Sequence, residues 1–308
     1  MPLMNASRCL PDLAARVAMV VLAGASLVAT GARAQSDETL RRIQETGTIN
    51  LGHRESSFPF SYYDGKHQVQ GYSHELALRI VESIRKELHM PAITIKLVPV
   101  TSQNRMALVQ NGTVDIECGS TSHTAERERQ VSFSVSTFVI GIRMLTARDS
   151  GLHDFGDLAG RKVVVTRGTT SDRLVRMFNE RQANRFTVVT AQDHAESFGL
   201  LDAGKVDAFV LDDALLYGAI AKSETPERWT VVGTPMAHEV YACMMRREDV
   251  ALKRSVDRAL TSLMTSGEIL KIYTKWFQRP IPPNGLNLNW APSEALLELY
   301  RAPNDRPQ

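Results

Sequence analysis

Three cysteines in 308 residues are too few for a disulfide-built scaffold. None of their spacings is CxxC, and the eight histidines form neither HExxH nor HxH, so no metal site is expected. There is no GxSxG nucleophile elbow and no Walker-type phosphate loop. A basic excess is missing too. Lys and Arg number 36 against 34 Asp and Glu, which argues against a broad nucleic-acid-binding surface. After the N-terminal 34 residues no stretch approaches the roughly 20 apolar residues of a membrane span. Internal repeats and low-complexity tracts are absent as well. With 43% hydrophobic and 23% charged residues, full disorder and fibrous repeats are also excluded.

What is present begins with an export leader at 1–34. Arg8 and Arg16 flank or precede an apolar run at 17–29, and Ala32-Arg33-Ala34 has the small-x-small form of a cleavage site. The alternative is an uncleaved anchor, for which the run is short. Cleavage would start the mature chain at Gln35. Loss of Arg8, Arg16, Arg33 and Asp12 would take the formal charge from +2 to zero. It would also remove Cys9 and leave Cys118 and Cys243. In an oxidising compartment that even pair reads as one disulfide, the alternative being two buried free thiols.

Past the leader, strand-like and helix-like patterns alternate. A small helix at 38–45 precedes a strand at 48–53. Ser73 is a good N-cap, and Leu76, Ile80, Ile84 and Leu88 follow at four-residue spacing, predicting an amphipathic helix over 73–89. A strand at 93–98, a helix at 104–111 ended by Gly112 and a strand at 114–118 complete a β-α-β-α-β order. The pattern then restarts with a strand at 161–166 and a helix opened by Gly168-Thr169-Thr170-Ser171. Next come a strand at 186–189, a helix at 193–203 and a strand at 208–211 running into Asp212-Asp213 and another helix. Two α/β lobes are expected. Extended runs at 138–146 and 238–246 flank the second lobe and become two hinge strands if that lobe is inserted in the first. Lobe 1 is then 35–139 with 242–308, and lobe 2 is 140–241. Helices at 250–266 and 267–277 and a Pro-rich tail at 280–283 follow.

Several clusters sit at strand ends or helix starts. Gly168-Thr169-Thr170-Ser171 suits an anion held by backbone N–H groups at a helix start, although many such turns bind nothing. Cys118-Gly119-Ser120-Thr121-Ser122 followed by Arg127 suits a carboxylate, since Arg can grip both oxygens. The bland reading is that Ser122 or Thr124 caps a helix and Arg127 is solvated. Asp212 ends an apolar strand, where α/β sheets place ligands, and could accept from an ammonium; it could equally cap the next helix. Arg54 ends the first strand and reads otherwise as a surface charge. His194 is either a cap neighbour or a ligand donor. Ser102 and Arg105 share a helix start, where capping and solvation would explain both. All of these fall on the same side of the two lobes. Three Arg and one Asp there fit a ligand with two carboxylates and one ammonium.

These residues carry a resemblance. TSQNRMALVQNGTVDIECGSTS (101–122), KVVVTRGTTS (162–171), DHAESF (193–198), FVLDDALL (209–216) and WFQRPIPPNGLNLNW (276–290) resemble the periplasmic solute-binding proteins of ABC transporters for polar amino acids, in particular the glutamate/aspartate-binding group. The resemblance runs from Thr39 to Pro303. It implies a bilobal periplasmic-binding-protein fold, two α/β lobes joined by two hinge strands, closing on the ligand. It implies a periplasmic, monomeric, non-enzymatic protein that takes glutamate or aspartate to ABC permease subunits at the inner membrane, with no cofactor, metal or nucleic acid. Arg127 would hold the α-carboxylate with Ser122 and Thr170, and Asp212 the α-ammonium with Ser120 nearby. Arg54, Ser102, Arg105 and His194 would meet the side-chain carboxylate. The chain departs from the pattern at Ser122 and His123, where Thr and Asn are usual, and at Arg167, where a small residue is usual. The alternatives are a cyclohexadienyl or arogenate dehydratase-like enzyme on the same fold, with His194 or Glu117 as acid, and a sensor domain.

Overall fold

The computed structural model describes residues 38–307. The expected leader, Cys9 and the cleavage site lie outside the described residues. Helix α1 (Glu38–Thr46) leads into β1 (Thr48–His53), followed by a small ribbon of β2 (Ser56–Ser57), β3 (Ser61–Tyr63) and β4 (Val69–Gln70). Then come α2 (Tyr72–Glu87), β5 (Thr94–Pro99), α3 (Arg105–Gln110), β6 (Ile116–Glu117), α4 (Ala125–Glu128) and β7 (Val131–Phe133). The long strand β8 (Phe138–Ala147) opens the second half. It is followed by β9 (Lys162–Thr166), α5 (Thr170–Glu180), β10 (Thr187–Ala191), α6 (His194–Asp202), β11 (Ala208–Asp212), α7 (Asp213–Lys222) and β12 (Trp229–Val232). The chain ends with β13 (His238–Tyr241), β14 (Met244–Arg246), α8 (Val250–Thr265), α9 (Glu268–Phe277) and α10 (Glu294–Arg301).

Two mixed sheets form two lobes. The first has the order β5-β1-β6-β14-β7, the second β10-β9-β11-β8-β12. In each, the parallel strands come from the β-α-β units, and an antiparallel strand arrives from elsewhere in the chain: β14 beside β6 and β7, β8 beside β11 and β12. Helices cover the faces because their apolar stripes need burial. In α2, Leu76, Ile80 and Ile84 are buried as their spacing predicts.

The two lobes meet at β8 and β13, which pair antiparallel from Gly141 opposite His238 to Phe138 opposite Tyr241. The run at 238–246, read from sequence as one strand, is two. The break at Ala242 and Cys243 is where the chain leaves β8 and joins the other sheet as β14. Cys243 there is bonded to Cys118 at the end of β6, across a separation of 125 residues. The hinge is not bare. Phe138 packs on Phe60, Phe277 and Tyr241, and the hydroxyls of Tyr72 and Tyr300 both lie within hydrogen-bond distance of the Thr137 carbonyl.

Ser73 does not cap α2 as expected. The N-cap position is Gly71, and the Ser73 hydroxyl instead donates to the Gly119 carbonyl at 2.7 Å. The helix start is thereby tied to the Gly-Ser-Thr-Ser loop after β6. The ribbon and β12 are too short for a clear periodic signal, whereas α10, unread in the sequence, carries one in the Ser293 cap and the buried Leu296, Leu299 and Tyr300.

Closing a loop of this length restricts the unfolded chain, with typical stabilisation of roughly 2–4 kcal/mol. In the chain lacking residues 1–34, Cys118→Ser with Cys243→Ser should lower the unfolding free energy by about that amount in urea titrations, while the oxidised parent shows no thiol reactive to Ellman's reagent.

Candidate ligand-binding cleft

The strand ends of both lobes face one another across a closed cleft. Arg54, at the end of β1, and Arg105, at the first turn of α3, are each only 2% exposed, so neither is the solvated charge that the bland reading supposed. Arg54 directs Nη1 at the Ser120 hydroxyl (3.4 Å), which itself donates to the Ser57 hydroxyl. Arg105 donates to the Ser120 carbonyl at 3.1 Å and to the Thr121 hydroxyl, which passes a 2.7 Å hydrogen bond to Glu117 Oε2. Glu117 is fully buried beneath the pair and supplies countercharge. Burial first, and then the neighbouring Arg105, lowers the Arg54 pKa to about 10; burial also lowers that of Arg105. Both remain cations at neutral pH.

His194, at the start of α6, is buried and crosses to the other lobe. Its Nε2 lies 3.5 Å from Arg54 Nη2 and its Nδ1 2.9 Å from the Thr166 hydroxyl. Since Arg only donates, Nε2 accepts and Nδ1 carries the proton. Burial, together with Arg54 and Arg105, pushes the His194 pKa well below the ordinary value. His194 is a neutral ring that orients Arg54. The neighbouring Asp193 makes the cap, accepting from the Glu196 N–H.

Arg127 is half-buried and bridges the lobes. Its Nη1 donates to the Ser122 carbonyl (2.8 Å) and its Nη2 to the Gly168 carbonyl (3.2 Å). Thr124, not Ser122, caps the short helix α4. Burial, then Arg105, lowers the Arg127 pKa to about 10. On the facing lobe, Thr169 caps α5, while the Thr170 hydroxyl donates to Glu239 Oε2 at 2.7 Å. Asp212 makes no side-chain cap to α7; it accepts from Ser171 and from the Tyr241 hydroxyl. Burial first, then Glu239, pushes the Asp212 pKa up to about 7.

The nine residues singled out in the sequence therefore all come to the cleft. Ser102 joins them through its carbonyl, which abuts Gly168. Its hydroxyl is buried without a partner, as is Arg105 Nε, and both donors suit a carboxylate. Arg167 is exposed, beside rather than within the cluster. Sequence reasoning missed Thr121, Glu239 and Tyr241. The signal for Glu239 is a lone acid inside the apolar run at 238–246, which reads from sequence only as a hinge strand.

The family described as bacterial extracellular solute-binding proteins, family 3, matches residues 49–279. The L-glutamate/L-aspartate-binding protein of Pseudomonas aeruginosa is 47% identical over 97% of this chain and 98% of its own. The glutamate/aspartate import solute-binding protein of Escherichia coli is 46% identical over 87% of this chain and 89% of its own. Among solved structures, a mutant of ArgBP from T. maritima is 25% identical with a TM-score of 0.69, covering 78% of this chain and 99% of that one.

Closure brings two glycines of lobe 2 against lobe 1 backbone. A Cβ on Gly168 would lie 2.8 Å from the Ser102 carbonyl oxygen, and one on Gly218, within α7, would overlap that of Phe58. Gly218 is the cleaner test, because Ala in a helix interior is favoured over Gly by about 1 kcal/mol. Gly218→Ala should keep or raise the melting temperature yet hold the lobes apart, giving a larger radius of gyration than wild type in small-angle scattering.

Proposed function

The chain belongs to the bacterial extracellular solute-binding proteins, family 3, and from that membership and the cleft chemistry we propose that it binds glutamate and aspartate for an ABC importer. The observation that carries this reading is the buried pair Arg54 and Arg105, with the orphaned donors Ser102 Oγ and Arg105 Nε beside it. A neutral side chain such as that of glutamine would leave two guanidiniums sharing the single carboxylate of Glu117; a ligand carboxylate balances the second. Arg127 then takes the α-carboxylate with Ser122 and the Thr170 N–H, and Asp212 takes the α-ammonium with Ser120. Arg54, Ser102 and Arg105 meet the distal carboxylate, with His194 behind Arg54. The curated relatives at 46–47% identity are named as binding proteins, not enzymes.

A dehydratase on this fold would need a general acid in the cleft. Neither candidate fits. His194 is neutral with both nitrogens committed, and Glu117 lies under Thr121. On the transporter reading the monomer is exported after loss of residues 1–34 and delivers its ligand to a permease. Lobe 1 is 35–139 with 242–308 and lobe 2 is 140–241, moving about β8 and β13. Ligand favours the closed state by its greater affinity for it.

Isothermal titration against glutamate, aspartate, glutamine and arginine tests the assignment. Heat is expected with the first two; silence with both and binding of another amino acid would overturn it. Arg127→Ala should weaken glutamate binding by more than about tenfold, since each hydrogen bond to a charged group contributes roughly 1.5–3 kcal/mol.

Asp212 adds a pH dependence. Its raised pKa means that near and below pH 7 the free cleft holds a proton there, whereas an ammonium binds the ionised form. Affinity is therefore full above about pH 7 and falls as pH drops through that value. The dissociation constant for glutamate should be about tenfold weaker at pH 6 than at pH 8, with proton release on binding below pH 7 read from titrations in buffers of different ionisation enthalpy. A flat profile would remove Asp212 from the ammonium site.

A further inference from the structure

We propose that Glu239 is a second carboxylate for the α-ammonium, a specificity-determining residue that makes the cleft reject dicarboxylates lacking an amine. The inference rests on the preceding reading, which places the ammonium at Asp212.

Side chains two apart on a strand share a face, so β13 turns Glu239 and Tyr241 to the same side. The Tyr241 hydroxyl donates to Asp212, which locates that side at the cleft. Consecutive residues at the start of α5 then hold the two acids. Thr170 donates to Glu239 at 2.7 Å and Ser171 donates to Asp212 at 3.3 Å. Glu239 is 4% exposed and Asp212 5%.

Two buried carboxylates held this way repel each other, and each needs a cation. Neither forms a salt bridge among the described residues; their polar partners are the hydroxyls just named. No group of three or more Asp, Glu, His or Cys among the described residues could hold a metal ion. A primary ammonium, with three N–H donors, meets the need of both acids at once. The upward pKa shift of Asp212, partly caused by Glu239, agrees with this proximity.

The geometry also divides the roles of Thr170. Its hydroxyl hydrogen goes to Glu239, so only its backbone N–H is free to serve the α-carboxylate. A ligand such as glutarate, which keeps both carboxylates but has no amine, would leave Asp212 and Glu239 with only the field of Arg105 and Arg127, neither of which forms an ion pair with them.

The test is calorimetric titration of wild type and Glu239→Gln with glutamate and with glutarate at pH 8. Gln is isosteric and still accepts from Thr170. The expected result is that glutamate binding weakens by at least about tenfold while glutarate binding stays or tightens. The selectivity ratio then falls by tenfold or more. A ratio that does not change, whether both ligands weaken together or neither does, overturns the proposal and leaves Glu239 a structural residue. Should Glu239→Gln fail to fold by circular dichroism, Thr170→Val, which removes the bond holding Glu239, must lower the same ratio; an unchanged ratio there overturns the proposal as well. Wild type that binds neither glutamate nor aspartate would instead sink the underlying assignment, so the two failures are distinct.

Discussion

Burying Arg54 and Arg105 beside one another is the constraint to which both lobes answer. Each guanidinium loses its water, a cost of several kcal/mol per ion, and the two repel. The surroundings offset this in layers. Glu117 lies below as countercharge, linked to Arg105 through Thr121. The Ser120 carbonyl and hydroxyl accept from above, and His194 accepts from Arg54 because burial keeps its ring neutral. The strand β6 that carries Glu117 is in turn anchored by the Cys118–Cys243 disulfide and by the Ser73 bond to Gly119. An arrangement that stabilises two cations and leaves donors open is pre-organised for an anion, with little to rearrange on binding.

The same logic runs in the opposite sign on the other lobe. Asp212, Glu239 and the Tyr241 hydroxyl form an acidic group supported by Thr170 and Ser171. Arg127 joins the two halves, donating to Ser122 in its own lobe and Gly168 in the other. A zwitterion with a further carboxylate matches this pattern of charge. Gly168 and Gly218 lie against carbonyls of lobe 1, and the strand joining the lobes is embedded in aromatic rings. The formal net charge of the chain is only +2, so the local field of the cleft does the work of recruitment.

Much of this is legible in the chain itself. The helix and strand periods announce two α/β lobes, and Arg54, Arg105, Arg127 and Asp212 fall at strand ends or helix starts on one side of them, although each alone also reads as a cap or a solvated charge. Two local signals mislead. Ser73 has the right residue type for a cap but spends its hydroxyl on Gly119, and the run at 238–246 looks like one strand but divides between sheets.

Periodicity and residue type are local properties, so the two lobes and the set of cysteines and charged residues available can be read along the chain. What each charge does is settled by the folded arrangement. That Glu117 lies under two arginines, that His194 is neutral, and that Glu239 and Tyr241 turn toward Asp212 depend on contacts between residues far apart in the chain. Burial and the distance to a partner set the energy of a charge, and neither is written in its neighbours along the sequence.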